Sequence, residues 1–239
     1  MEIHSHDDNR SSAVSMGVIG VALRLILKFL NQHNADLFSA SLEVSMEYAN
    51  DYSGYGNEVL YRMCSERPLH DDIDTITSKF RIIGRAYSAA IERGAGNEFK
   101  IETAAALIKN SEIDAHISKL KNIDRPTHEN LGILLTAHKY LTDVLKSSTG
   151  IEKRSLVSKY LHFHAPRAVF IYDSIANNKV RKILASSNQR FKPQREHDHE
   201  YEAFVLRCIY FRDVIYENEI GAMASPRKID MRLLDYGIR

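Results

Sequence analysis

Asp173 is the residue around which chemistry can be argued. It is an acid inside the most basic stretch of the chain. From Ile151 to Arg195 there are ten Lys and Arg and one other acid, Glu152, a net of +8; all 239 residues together carry +1, so the remainder carries −7. A carboxylate among cations can stay ionised, take a proton from water or stabilise a developing positive charge. The cations around it can hold a polyanion. Ahead of it, Gly150 breaks one helix and lets another begin. Backbone N–H groups at such a start attract anions, and Lys153, Arg154 and Lys159 add charge there. The plainer readings are an N-cap for Asp173 and a solvated face for the basic run. The density of charge favours polyanion binding over the second of these.

Other chemistries lack their residues. The eleven histidines include the pairs His4/His6, His162/His164 and His197/His199. Two rings at H-x-H spacing on a helix point to roughly opposite sides, and a metal centre needs three or four converging ligands. HDHE at 197–200 sits in a polar stretch and reads as a solvated loop. There is no HExxH and no zinc-type CxxC, so no metal is expected. Gly17/Gly20, Gly54/Gly56 and Gly94/Gly96 lack the strand and lysine of a nucleotide loop. No G-x-S-x-G elbow is present. Arg62 and His70, the nearest Arg–His pair of a helical ribonuclease, are separated by Pro68. The basic window holds no carboxylate pair for a metal-dependent nuclease.

The elements that must position these groups are helical. Hydrophobic spacing and start–stop signals predict about ten short to moderate helices and no convincing strand, an all-α class. Residues 1–10 read as a disordered tail and 11–239 as one helical domain. Ser11-Ser12 precedes a helix to about Asn31, a second runs over 35–48, and 50–58 is loop-like. A helix over 58–66 stops at Pro68. The clearest helix spans 71–93, with Ile73, Ile76, Phe80, Ile83, Tyr87 and Ile91 on one stripe and Arg93-Gly94 as its end. Helices over 97–109, 111–122 and 127–148 follow. Then come 155–164, a loop at Pro166, a helix from Asp173 or Ser174 to Ala185, a polar basic loop at 186–198, and a helix over 199–220. Ser225-Pro226 opens the last one. Ala168–Tyr172 has some strand character. The apolar run from Ala13 to Leu30 contains Arg24 and Lys28, whereas a membrane span needs about 20 nearly uncharged residues. The polar start MEIHSHDDNRSS and two distant cysteines, Cys64 and Cys208, fit a cytoplasmic protein with reduced thiols.

The order glycine turn, short helix, Pro166-Arg167-Ala168-Val169, extended piece, Asp173, helix resembles the helix-hairpin-helix DNA glycosylases, closely around residues 150–175. The resemblance implies an all-α fold with a cleft between two helical lobes, and a hairpin at Gly150-Ile151-Glu152 that grips the DNA backbone. It makes Asp173 the catalytic carboxylate. Its partner would be double-stranded DNA with one nucleotide flipped out, with no cofactor and no membrane. Lys153, Arg154, Lys159, Lys179 and Arg181 would contact phosphates. Tyr52, Tyr55, Tyr160 and Tyr172 would supply aromatic faces for the base, with Arg85 and Tyr87 on the opposite wall. The chain departs from the pattern in two places. Glu152 replaces the second hairpin glycine. Arg154 stands where bifunctional members carry a lysine, and an arginine cannot act as an amine nucleophile. The implied activity is monofunctional hydrolysis of an N-glycosidic bond, unless the neighbouring Lys153 takes the amine's role, in genome repair or in defence against phage with modified DNA. The competing reading is a non-catalytic helical module that binds nucleic acid or protein.

Overall fold

A computed structural model describes residues 54–187, 189–193 and 196–234, all within one compact unit spanning residues 51–239. The helices expected over 11–31 and 35–48 lie outside the described residues. Within them the chain is helical, with no strand. In order the elements are α1 (Gly54–Glu66), α2 (Ile73–Tyr87), α3 (Ile101–Lys109), α4 (Ile113–Lys121), α5 (Leu131–Thr149), α6 (Arg154–His164), α7 (Ser174–Ile183) and α8 (His199–Tyr210). A π-helical segment (Phe211–Tyr216), α9 (Glu217–Ile220) and α10 (Pro226–Leu234) complete the chain.

Local signals explain most boundaries. Asp72 caps α2 by accepting from Thr75 N at 2.9 Å. Gly150 ends α5 in the left-handed region, φ 70°, and donates to Lys146 O at 2.8 Å. Pro226 is the first residue of α10, and Ser225 Oγ accepts from Lys228 N at 3.2 Å.

Several boundaries differ from the sequence reading, among them α3, which begins at Ile101 and not at 97, and α5, which begins at Leu131 and not at 127. α2 stops at Tyr87, not near Arg93: Ser88 turns left-handed, φ 51°, and the chain folds back to bury Ile91 completely. Gly84 admits that return, since a Cβ there would lie 3.1 Å from Ala90 Cα. α1 begins at Gly54, inside the stretch read as a loop. The helix read over 199–220 widens into π geometry at Phe211, where Arg212 is fully buried and donates to Pro126 O at 2.7 Å.

α6 is the central element. Every residue from Leu156 to Ala165 is buried, and the helix packs on α1, α2, α4 and α5. α7 packs on α8 and α10. The extended piece Ala168–Tyr172, buried throughout, pairs with no strand; side chains satisfy its backbone instead. His162 Nδ1 donates to Val169 O at 2.7 Å, Tyr201 OH to Phe170 O at 3.0 Å, and Tyr172 N to Ser158 Oγ at 3.0 Å. His162 Nε2 then accepts from Tyr61 OH at 2.7 Å, which fixes the neutral tautomer. Cys64 and Cys208 are free and buried.

Candidate active site and nucleic-acid interface

Asp173 is the N-cap of α7. One carboxylate oxygen accepts from Ala176 N at 2.7 Å; the other has no hydrogen-bond partner among the described residues, and the side chain is half-buried. Two consecutive residues of α6 fix the approach to it. Ser158 takes the Tyr172 N–H, and Lys159 Nζ donates to Tyr172 O at 2.9 Å and to Ser155 Oγ at 2.8 Å. The peptide unit leading into Asp173 is therefore held by α6.

Lys159 is only 2% exposed, so its ammonium is not presented to a phosphate. Burial lowers its pKa, while the charges of Asp173 and Asp230 resist that fall. Its Nζ lies 5.7 Å from the centroid of the Tyr87 ring. Below it, Asp230 pairs with Arg227 at 2.5 Å. Burial pushes the Asp230 carboxyl up to about 6 against the pull of Arg227 and Lys159. Lys159, Arg227 and Asp230 thus form an interior charged group within electrostatic reach of Asp173.

The charged side chains of the turn at Gly150 engage groups within the protein. Glu152 pairs with Lys146 at 2.9 Å. Lys153 Nζ donates to Arg93 O. Arg154 donates through Nε to Asp198 at 2.6 Å, pairs through Nη1 with Glu200 at 2.9 Å, and lies over the Tyr172 ring at 5.6 Å. Asp198 also caps α8, accepting from Glu200 N and Tyr201 N at 3.1 Å. Arg167 pairs with Asp124 at 3.0 Å. Each cation from Lys153 to Arg167 therefore has an internal or neighbouring partner.

Beyond Asp173 the balance reverses. From Ser174 to Arg195 the sequence has no acid. Arg181, Lys182, Arg190 and Lys192 are exposed and form no ion pair among the described residues. Lys179 is half-exposed on the same helix.

The aromatic residues divide as well. Tyr172 is nearly buried, and its OH donates to Glu200; burial and that carboxylate push its pKa up to about 12. Tyr87 is half-buried, with its OH on Asn57 Oδ1. Tyr160 is buried and its OH joins a hydrogen-bonded chain: Asp114 meets His70 Nδ1 at 2.5 Å, and His70 Nε2 meets Tyr160 OH at 2.8 Å. Arg85 is exposed beside Arg81, Ile82 and Ala86, which line a shallow, open depression of about 430 Å³. Tyr55 falls in the first turn of α1, and Tyr52 lies outside the described residues. The structure thus brings Lys159, Tyr172 and Asp173 together with Tyr87 and leaves Tyr160 and Arg85 elsewhere.

Sequence reading missed Asp198, Glu200, Arg227 and Asp230. The Arg227–Asp230 spacing of i, i+3 was a usable signal. Asp198 just before an aromatic-rich helix was a usable cap signal. Among the described residues no three His, Cys, Asp or Glu converge as metal ligands, and no helix is long and apolar enough to cross a membrane. Compared with protein-family models, curated proteins and solved structures, the chain matches none of them.

Proposed function

We propose that the chain is a DNA-binding base-excision enzyme, a monofunctional N-glycosylase with Asp173 as its catalytic carboxylate. The supporting observation is the placement of that carboxylate. It stands half-exposed at the start of α7 with one oxygen uncommitted among the described residues, on the helix that continues into the acid-free cationic run. A duplex held by those cations, with one nucleotide flipped out, would bring C1′ toward Asp173. The ionised carboxylate stabilises positive charge at C1′ as the N-glycosidic bond breaks and its electron pair leaves with the base. It then takes the proton of the water that bonds to C1′. The reading is monofunctional because the cations nearest the turn are engaged among the described residues. Arg154 is a guanidinium held by two carboxylates, and the Lys153 and Lys159 ammonium groups donate to backbone carbonyls.

Asp173→Asn tests this with little structural disturbance, because Asn caps a helix about as well as Asp. Purified protein is incubated with duplexes that each carry one modified base, and abasic sites are scored by alkaline cleavage. Wild type is expected to release one base class. The variant should lose at least about 100-fold in rate while its affinity for DNA is kept or increased.

One observation favours the second reading, a non-catalytic nucleic-acid-binding module: the Ala176 N–H bond is a sufficient structural reason for an aspartate at this position. Equal abasic-site yields from wild type and Asp173→Asn, or none from any duplex, select that reading.

A further inference from the structure

We infer that the DNA backbone is gripped by a basic face around Phe191, formed by Arg181 and Lys182 of α7, Arg190 and Lys192 of the following segment and Arg207 of α8, and not by the turn at Gly150. The inference rests on the DNA-binding reading above and names the surface that would do the binding.

The first argument is one of elimination among charges. The ten cations of the 151–195 window look equivalent in sequence. In the fold, Lys153, Arg154, Lys159 and Arg167 all have partners, and Lys159 is buried. Moving Arg154 onto a phosphate would leave Asp198, whose side chain is 7% exposed, without its cation. Arg181, Lys182, Arg190 and Lys192 have no such competitor among the described residues. Glu196 is the first acid to follow them.

The second argument is an unfavourable juxtaposition. Arg181 and Arg207, from two packed helices, repel each other. Burial first, and Arg181 second, lower the pKa of Arg207 against the weaker pulls of Cys208 and Glu200. Glu200 is itself paired with Arg154. An anion between the two guanidinium groups would relieve that repulsion.

The third argument is geometric. The Arg207 guanidinium lies over the Phe191 ring at 5.8 Å, and Tyr210 meets the same ring edge-on at 5.8 Å. A guanidinium seated on an aromatic face is pre-organised and keeps its N–H edge for two oxygens of one phosphate. Arg181 stands eight residues after Asp173. At 1.5 Å per residue this is about 12 Å along α7, or three to four rises of 3.4 Å per base pair. Grip and carboxylate would therefore address one strand a few nucleotides apart.

The test is fluorescence anisotropy of a labelled 20-base-pair duplex with the full chain, titrated at several salt concentrations. Arg181→Gln with Arg207→Gln should weaken binding at least about tenfold and flatten the log K against log salt slope by about 1, for the one phosphate that the two share. Arg207 is partly buried, so the exposed pair Lys182→Gln with Arg190→Gln is a second probe, with the same direction expected and circular dichroism unchanged. Lys153→Gln should bind within about twofold of wild type. If both paired variants bind as wild type while Lys153→Gln fails, the grip is at the turn; this inference falls and the DNA reading stands. Failure of wild type to bind any duplex at low salt overturns both. Preferential displacement of DNA by an RNA competitor overturns the choice of partner.

Discussion

Lys159 shows most clearly how one residue's role depends on its surroundings. As a letter it is one basic residue in a basic window. In place it is a buried ammonium with two acceptors, Tyr172 O and Ser155 Oγ, and with Asp173 and Asp230 to balance its charge. A buried lysine is tolerated only when its donors are satisfied and its charge is opposed. Lys159→Met keeps much of the stem packing but removes both hydrogen bonds and a buried cation that acts electrostatically on Asp173. It is expected to lower the unfolding free energy by about 2–4 kcal/mol in urea denaturation. An unchanged midpoint would show that the ammonium has no structural part. Asp173 is the opposite case. Its cap geometry and its proposed chemistry use different oxygens, so Asp173→Asn separates them.

At the scale of elements, the turn between α5 and α6 controls where α6 starts, and α6 in turn fixes Tyr172 and Asp173. Gly150 needs its glycine for conformation alone: φ is 70° and nothing lies within 4 Å of where a Cβ would stand. Gly150→Ala should cost about 1 kcal/mol, and Gly150→Asn less, because Asn tolerates the left-handed region. Thermal melts of the two variants give the comparison, and equal losses would argue for an unseen steric contact instead. The turn's neighbours Glu152, Lys153 and Arg154 tie it to Lys146, Arg93, Asp198 and Glu200. As an element it is a brace between helices.

At the scale of the whole molecule, the interior is unusually polar, and stability should respond to acid. His70, His138, His162 and His164 are buried, and burial lowers the pKa of each, to about 4 for His138 and about 3 for His162. A histidine depressed in the fold stabilises above its unfolded pKa near 6.5. That stability is lost as pH falls toward the folded value, because the unfolded chain then binds protons that the folded chain cannot. At pH 5, His138 and His162 should each have given up about 2 kcal/mol. Asp230 acts in the other direction: its folded pKa is raised, so its stabilising share is present at low pH and is lost as pH rises through about 6. Four histidines outweigh one aspartate, so the melting temperature should drop steadily from pH 7.5 to pH 5. A flat profile would mean that the histidines are solvated in solution. The sequence by itself determined the helical class, the caps at Asp173 and Ser225, and the buried stripe Ile76, Phe80, Ile83, because those depend on residues three or four apart. It misplaced the end of α2, where burying Ile91 prevailed over local propensity. Only the tertiary structure decided the fate of each cation. Arg154 finds Asp198 across 44 residues and Lys153 finds Arg93 across 60. A charge count carries no information about such partners, and it is the partner that decides whether a cation braces the fold or faces a ligand.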